Sequence, residues 1–424
     1  MRRFLQLVIC AAALLPIART PGALAGTSLQ AREIRIFGNE KIKPYIILRA
    51  IPFQAGDYFD KQLLQAARER VRAVPGVDFT EIRVGYIPLD SMTVVSVVIT
   101  EKPTLRGHLL TRRGYENKIS IGIKAVERNF RGRSEKLYAL GMFRGNTQFA
   151  AGWENPWIGD ALHLGIAFDA FYRNYNYVYD DMGGTFAGAE IERYGATASL
   201  YHPAGAKQRI GITAGFETVT SPVDGVAVSG ERDSYATAAL VFERDSRNSL
   251  AFPWDATLVK ASAALIGPGD DALSLFEGSI DARAYRSLFS RSVLAAQAVY
   301  RMRDGDTIPL YRREHIGGAR TLRGYDYGTF NGTNSLSGCM EYRIPFNFSK
   351  AEPVEDLLLG VSLHLFAETA AAWENNQNLS DDLLHGSFGL GVSLLTLNAS
   401  GIRFDYAWHQ RSSGRWEIDA GLKF

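Results

Sequence analysis

Apolar and polar residues alternate along most of the chain after residue 103. Near the C-terminus, Ile402, Phe404, Tyr406 and Trp408 alternate with Arg403, Asp405, Ala407 and His409. A period of two is typical of a β-strand with two unlike faces, whereas a helix repeats every 3.6 residues. Helical periodicity is almost absent between residues 103 and 424. This region is therefore predicted to be antiparallel β-structure.

The ends of these segments favour a membrane barrel over a soluble sandwich. Trp and Tyr occur where strands should end, as aromatic girdles require. Predicted short turns at 155–157 and 253–255 contrast with long polar loops at 221–233 and 304–334. At roughly 20 residues for each strand and its connection, residues 103–424 predict about 16 strands, an even number. In lipid the sheet must close, because an open edge would leave backbone groups unsatisfied.

Residues 32–102 have a different pattern and predict a small α+β domain. A β-rich segment ends at Gly38-Asn39, Pro44 begins a short helix, and Asp60 caps a second helix that reaches about Val74. Two strands follow, over 81–87 and 93–101. The predicted order is β-α-α-β-β, with both helices on one face of the sheet.

The first 25 residues are predicted to be a signal peptide that is removed. Arg2 and Arg3 precede an apolar stretch of signal-peptide length, and Ala23-Leu24-Ala25 is a small-x-small cleavage site. A short anchor helix is the alternative, but the apolar stretch is too short to span a bilayer.

Composition and charge exclude several classes of function. Lys and Arg number 47 against 45 Asp and Glu, so no nucleic-acid partner is indicated. Only Cys339 follows the predicted cleavage site, which excludes a Cys-based metal site and an intrachain disulfide. No nucleophile elbow, phosphate loop or paired-histidine motif occurs. We expect no enzyme activity, no catalytic residue, no metal and no cofactor.

One constellation of motifs stands out in the last quarter of the chain. A long loop carries Gly317-Gly318, and then Leu322-Arg323-Gly324-Tyr325. The next strands carry Glu341-Tyr342-Arg343, Phe366-Ala367-Glu368 and Arg403-Phe404-Asp405.

With a small α+β domain in front, this constellation resembles the BamA/TamA family of outer-membrane assembly factors, in which POTRA domains precede a β-barrel. The resemblance implies a periplasmic POTRA-like domain at 32–102 and a barrel at 103–424. It also implies that the long loop folds into the barrel lumen and that its tip, Arg323-Gly324-Tyr325, is locked to the wall. Glu341 and Glu368 would be the acidic partners of Arg323. The supporting motif residues are Gly317, Gly318, Leu322, Arg343, Phe366, Arg403 and Asp405.

Alternation of side chains supports this pairing independently. Glu341 and Glu368 both fall on the polar faces of their strands, which should point into the lumen while lipid contacts the apolar faces. A guanidinium can bridge two carboxylates. The alternative is that Arg323 is a solvated loop residue. The family pattern has Asp where Glu368 stands and Gly where Ala370 stands, which implies a shifted geometry.

The predicted function is the folding and insertion of other β-barrel proteins, or the export of surface proteins. The partners would be the outer-membrane bilayer, unfolded client chains and periplasmic accessory subunits. A client strand would pair with the first barrel strand, near 104–112. The last strand, 414–424, would carry a C-terminal barrel signal with Trp416 and the terminal Phe424. A two-partner secretion pore, a passive porin and an outer-membrane hydrolase are the alternatives.

Overall fold

The computed structural model describes residues 29–87, 92–113, 119–159, 163–177, 180–181, 184–185, 189–204, 207–223, 226–249, 252–267, 273–289, 292–346, 360–395, 401–409 and 414–420. The predicted signal peptide, 1–25, and the terminal Phe424 lie outside these residues. Contacts divide the chain into two compact units. One comprises residues up to 106 with 125–138 and 153–156, and the other comprises the remainder.

The N-terminal part of the first unit is a four-stranded sheet with two helices. Its elements are β1 (Leu29–Phe37), α1 (Pro44–Ala50), β2 (Tyr58–Phe59), α2 (Lys61–Arg72), β3 (Val77–Ile87) and β4 (Met92–Glu101). The strand order is β2-β1-β4-β3, with β1 parallel to β4 and the other pairs antiparallel. The short strand β2 adds one element to the predicted β-α-α-β-β order. Two residues are too few to show a period, so the sequence did not reveal it.

Local signals set the helix boundaries of this region. Pro44 is at the first turn of α1, and the Asp60 carboxylate accepts a hydrogen bond from the Leu63 N–H at 2.7 Å, which caps α2. The helices pack on the sheet through a buried apolar core. Its members are Ala31, Ile42, Ile46, Ile47, Ile51, Phe53, Phe59, Ala67, Val71, Val77, Val95, Val97 and Ile99. The Glu101 carboxylate also accepts hydrogen bonds from the N–H groups of Glu40, Lys41 and Ile42.

Sixteen strands form one sheet, as the sequence predicted. The sheet runs from β5 to β24 in the order β5-β6-β7-β8-β9-β12-β13-β14-β15-β16-β17-β20-β21-β22-β23-β24. Its first strands are β5 (Leu105–Arg113), β6 (Ile119–Phe130), β7 (Glu135–Arg144), β8 (Thr147–Ile158), β9 (Leu164–Tyr177), β12 (Ala189–Pro203), β13 (Gln208–Thr220) and β14 (Arg232–Asp245). The others are β15 (Ala256–Ile266), β16 (Leu275–Ser287), β17 (Val293–Gly305), β20 (Asn334–Phe346), β21 (Gly360–Trp373), β22 (His385–Leu395), β23 (Gly401–His409) and β24 (Arg415–Ala420).

The remaining elements are short. Two hairpins lie between strands of the large sheet, namely β10 (Asp180–Asp181) with β11 (Gly184–Thr185), and β18 (Glu314–Ile316) with β19 (Phe330–Gly332). Single turns of 3-10 helix cover Leu310–Arg312 and Asp381–Leu383. No helix in the described part of the chain is both long and apolar enough to cross a membrane.

One predicted turn is wrong. Strand β8 continues through Asn155, Pro156 and Trp157 to Ile158, and the chain leaves it at Gly159, which has φ +71°. Proline removes one N–H from a ladder, and Pro156 stands close to the strand's end, where such a loss is tolerated. Asn-Pro is a common turn signal, but in this chain the turn begins a few residues later, at Gly159.

Strands β21 and β24 carry their acidic residues on the buried face and mainly apolar residues on the exposed face. On β21, Leu363, Leu365 and Ala367 are exposed, whereas Ser362, His364, Phe366 and Glu368 are buried. On β24, Trp416 and Ile418 are exposed and Glu417 and Asp419 are buried. This is the reverse of a soluble sheet and is the pattern of a barrel whose outer face contacts lipid.

Candidate functional site

The loop between β17 and β20 folds back on itself at a glycine pair. The Gly317 N–H donates to Thr321 Oγ1 at 2.8 Å, and the Gly318 N–H donates to the Tyr325 carbonyl at 2.9 Å. Gly317 has φ +129°, and a Cβ there would lie 1.9 Å from the Asp326 carbonyl oxygen. Only glycine fits such a position. The turn brings the next residues to the wall of the barrel, with Leu322 fully buried beside Ile316 and Ala370.

Arg323 is the centre of the site and is completely buried. Its backbone N–H donates to Glu368 Oε2 at 2.7 Å, and its Nε donates to Glu368 Oε1 at 2.7 Å. Its Nη2 donates to Glu341 Oε1 at 2.9 Å. The structure thus places both predicted acidic residues in direct contact with the guanidinium. The alternative, a solvated Arg323, is wrong, because this side chain is buried.

A third carboxylate completes the ring around Arg323. Arg323 Nη1 donates to Asp405 Oδ2 at 3.0 Å, and the Arg323 guanidinium carbon lies 3.4 Å from the centre of the Phe366 ring. Asp405 and Phe366 are among the supporting motif residues predicted from the sequence, and both contact Arg323 directly. A guanidinium over an aromatic face gains a cation–π attraction that strengthens when water is excluded.

Two further arginines balance the acids. Arg343 Nη2 donates to Glu341 Oε2 at 2.7 Å, and Arg403 Nη2 donates to Glu341 Oε1 and Asp405 Oδ2, each at 3.0 Å. Three arginines therefore face three carboxylates, and all six side chains are buried. Charges buried without partners would be very costly, so this mutual neutralisation is what makes the cluster possible.

Three contacting residues were missed by the sequence analysis. Glu417 on β24 accepts a hydrogen bond from the Gly324 N–H at 2.8 Å. His364 Nε2 lies 2.6 Å from Asp405 Oδ1, and Cys339 Sγ lies 3.5 Å from Arg323 Nη2. Alternation places all three on the buried faces of their strands. That signal marks many residues, however, and does not reveal which ones converge on a single loop tip.

Aromatic contacts hold the other side of the loop tip. The ring of Tyr325 stacks on His409 with centroids 4.0 Å apart and meets the ring of Phe330 edge-on at 5.2 Å. Phe330 in turn stacks on His385 at 3.6 Å. Together with the backbone bond from Gly324, these contacts engage strands β22, β23 and β24. The whole predicted tip, Arg323-Gly324-Tyr325, is thus seated against the wall.

We refer to the loop tip, Arg323-Gly324-Tyr325, together with Glu341, Glu368 and Asp405 as the lock. Each carboxylate around Arg323 is turned toward a cation at hydrogen-bond distance. No group of three or more His, Cys, Asp or Glu side chains that could hold a metal ion occurs among the residues the structure describes. Trp416 is on β24 with its side chain exposed, outside this cluster.

Family models match two parts of the chain. Residues 129–424 match the Omp85 superfamily domain, and residues 30–75 match the POTRA model described as a surface antigen variable number repeat. The first match covers most of the large sheet and every residue of the lock. The second covers β1, both helices and β2.

The sequence is also similar to a curated relative. The outer membrane protein assembly factor BamA of Nitratidesulfovibrio vulgaris is 24% identical over 416 residues, which cover 92% of this chain and 51% of that protein. The chain thus spans about half the length of the curated relative it matches.

Solved structures share the fold. BamA from Haemophilus ducreyi lacking POTRA domains 1–3 superposes with a TM-score of 0.64 at 17% identity, covering 94% of this chain and 85% of that one. CdiB from Escherichia coli gives a TM-score of 0.58 at 12% identity, covering 96% and 93%. Sequence motifs, a sheet of 16 strands and the two family models agree, and the chain belongs to the Omp85 superfamily.

Proposed function

We propose that this protein is an outer-membrane factor that folds and inserts other β-barrel proteins. The observation that carries the proposal is the loop tip fixed inside the barrel by Arg323, Glu341, Glu368 and Asp405. The match to an assembly factor along 92% of the chain supports the same class. The activity needs no catalytic residue, which agrees with a family of assembly and transport proteins rather than enzymes.

The proposal includes a location and a division of labour. The barrel, 103–424, lies in the outer membrane of a Gram-negative-type bacterium, and the POTRA-like domain, 32–102, lies in the periplasm after removal of residues 1–25. Among the residues that the structure describes, the sheet β2-β1-β4-β3 ends in β3, and the outer edge of β3 is suited to pairing with an unfolded client strand. Periplasmic accessory subunits are further partners in this proposal, and no nucleic acid takes part.

The occupied lumen argues against a passive porin. An open pore needs a water-filled lumen, whereas here the loop between β17 and β20 makes buried contacts with β20, β21, β23 and β24. A protein-export pore of the two-partner kind is the alternative outcome of the test below.

Depletion of the protein tests the proposal. The full-length gene is placed under a titratable promoter, and outer membranes and culture medium are compared by quantitative mass spectrometry before and after depletion. We expect a set of β-barrel proteins to fall severalfold in the outer membrane while outer-membrane lipoproteins stay constant, and re-expression should restore them. Loss of one exported protein with all barrels unchanged would indicate the export pore instead. No change in either fraction would refute the proposal.

A further inference from the structure

A second set of ion pairs lies at the start of the same loop, on strands that precede those of the Arg323 site. Seven charged side chains of alternating sign follow one another in contact: Arg193, Glu217, Arg312, Glu277, Arg303, Glu314 and Arg301. Five of them come from strands β12, β13, β16 and β17. The loop itself supplies the other two, Arg312 and Glu314, which have opposite signs.

Arg312 is the central member of this series of ion pairs. Its Nη2 donates to Glu217 Oε2 at 2.9 Å and to the Tyr235 hydroxyl at 2.7 Å, and its Nη1 donates to Glu277 Oε1 at 2.8 Å. The side chain is only 9% exposed. One guanidinium thereby connects β13, β14 and β16, which no other side chain of the loop does among the described contacts.

Glu314 anchors the loop two residues further on. Its Oε1 accepts from Arg303 Nη1 at 2.6 Å, and its Oε2 accepts from Arg301 Nη1 at 3.3 Å and from Ser335 Oγ at 3.2 Å. Since Arg303 also donates to Glu277 at 3.0 Å, the two loop residues are joined through the wall. Buried pairs that share partners in this way are energetically coupled.

Tyr311 extends the anchor toward a neighbouring connection. Its hydroxyl donates to Asp233 Oδ2 at 2.8 Å, and the same carboxylate accepts the N–H groups of Val228 and Ser229. The Tyr311 ring packs in an apolar cluster with Val219, Val226 and Leu273. The start of the loop is thus fixed by hydrogen bonds and apolar packing as well as by charge.

We propose that Arg312, assisted by Glu314, is a second positioning residue that holds the root of the loop independently of Arg323. When the tip leaves Glu341, Glu368 and Asp405, the loop then pivots about residues 311–314 and stays in the lumen. The consequence for clients rests on the proposed function. The anchor itself is a property of the folded chain and is measured without clients.

Chymotrypsin distinguishes the two ends of the loop, because it cleaves after aromatic residues and not after arginine. Tyr311 reports on the root, and Tyr325 and Tyr327 report on the tip. The full-length protein in outer-membrane vesicles is compared with Arg312→Ala, Arg323→Ala and the double variant. Arg320→Ala is the matched control, since this arginine belongs to the same loop but is 58% exposed, and it pairs with Asp419 at 3.3 Å.

We expect the two single variants to open different ends. Arg312→Ala should accelerate cleavage at Tyr311 about tenfold or more, the change in open population that accompanies loss of a charge-assisted hydrogen bond, and leave tip cleavage at the wild-type rate. Arg323→Ala should do the reverse, the double variant should open both ends, and Arg320→Ala should open neither. Unchanged cleavage at Tyr311 in Arg312→Ala, or acceleration of both ends by Arg323→Ala alone, would overturn the proposal.

A milder variant keeps the test decisive if Arg312→Ala does not accumulate as a folded barrel. Glu277→Gln removes one of the two carboxylates that Arg312 contacts and leaves Glu217 in place, so root cleavage should rise by less than in Arg312→Ala, with the tip unaffected. Equal cleavage at Tyr311 in Glu277→Gln and wild type would contradict the anchor. If the cleavage pattern is as expected but depletion changes no client, the anchor stands and the proposed function fails.

Discussion

Arg323 is a single side chain on which several strands depend. Its donors reach carboxylates on β20, β21 and β23, and the next residue donates its N–H to β24. Exposed ion pairs contribute little because water and salt screen them, as for Arg35 and Glu33, which are 54% and 50% exposed. At Arg323 water is excluded, so each charge relies on its partners instead.

Removing Arg323 should unseat the loop tip without unfolding the barrel. In Arg323→Ala, Glu341 and Asp405 keep their contacts with Arg343 and Arg403, whereas Glu368 loses its guanidinium. Breaking a buried pair costs about 3–5 kcal/mol when water does not enter. We expect client barrel levels in the outer membrane to fall while the level of the protein itself stays nearly normal, measured by quantitative immunoblot. Arg323→Lys should rescue only in part, because an ammonium lacks the planar fork.

A charge-neutralising pair provides the control for this prediction. Glu341→Gln with Glu368→Gln should reproduce the Arg323→Ala phenotype, and adding Arg323→Ala to that pair should not deepen it, as expected of coupled sites. Normal client levels in Arg323→Ala would show that the lock has no part in assembly.

At the scale of elements, strand β22 carries glycines where side chains from the neighbouring strands β21 and β23 need space. A Cβ on Gly391 would lie 2.1 Å from Asp405 Oδ1 and 2.6 Å from His364 Nε2, and a Cβ on Gly389 would lie 2.4 Å from the Phe366 ring. The strand thus provides space between β21 and β23, and the side chains on either side of it meet across that space.

Gly391→Ala should therefore disturb the lock without changing any charge. The added methyl group must displace Asp405 or His364, and such overpacking typically costs roughly 1–3 kcal/mol. A folded barrel runs as a compact band on gels until the sample is heated enough to unfold it. We expect this unfolding temperature to be lower in the variant. Gly338→Ala on β20 is the matched control, because the nearest atom to its Cβ would be Thr369 Cγ2 at 3.6 Å. Equal melting of the two variants would count against the packing argument.

Local periodicity and motifs predicted much of the fold and the centre of the site. Alternation placed Glu341 and Glu368 on the inner face, and the Gly-Gly and Arg-Gly-Tyr motifs identified Arg323. Alternation alone did not place Glu417 or His364 at the tip, because their approach depends on the register and curvature of several strands. The two-residue strand β2 and the passage of β8 through Pro156 were also beyond it, since tertiary pairing overrides those local signals.

For the whole molecule, the distribution of side chains over the large sheet predicts a membrane environment. Apolar residues such as Ile212, Phe216 and Leu240 are more than half exposed, whereas Arg323, Glu341 and Asp405 are almost fully buried. Exposed apolar surface on this scale is unfavourable in water and favourable in lipid.

The proposed orientation predicts which part of the chain a protease can reach. Protease added to intact cells should leave residues 32–102 uncut, because that domain would lie in the periplasm. The same protease added after the outer membrane is permeabilised should cut it, and an immunoblot against this domain follows both. Cleavage of residues 32–102 in intact cells would contradict the orientation.

The hydrogen bond from Gly324 to Glu417 has a consequence for cooperativity. Within the described residues, β24 pairs with β23 over six residue pairs, from Ile402 with Ala420 to Ala407 with Arg415. In such a ladder a terminal strand could fray alone. Because the loop tip grips β24 from inside while it also grips β20 and β21, fraying of the last strand and release of the loop become a single event. Strand β24 thus shares its local stability with Arg323, whose side chain is completely buried.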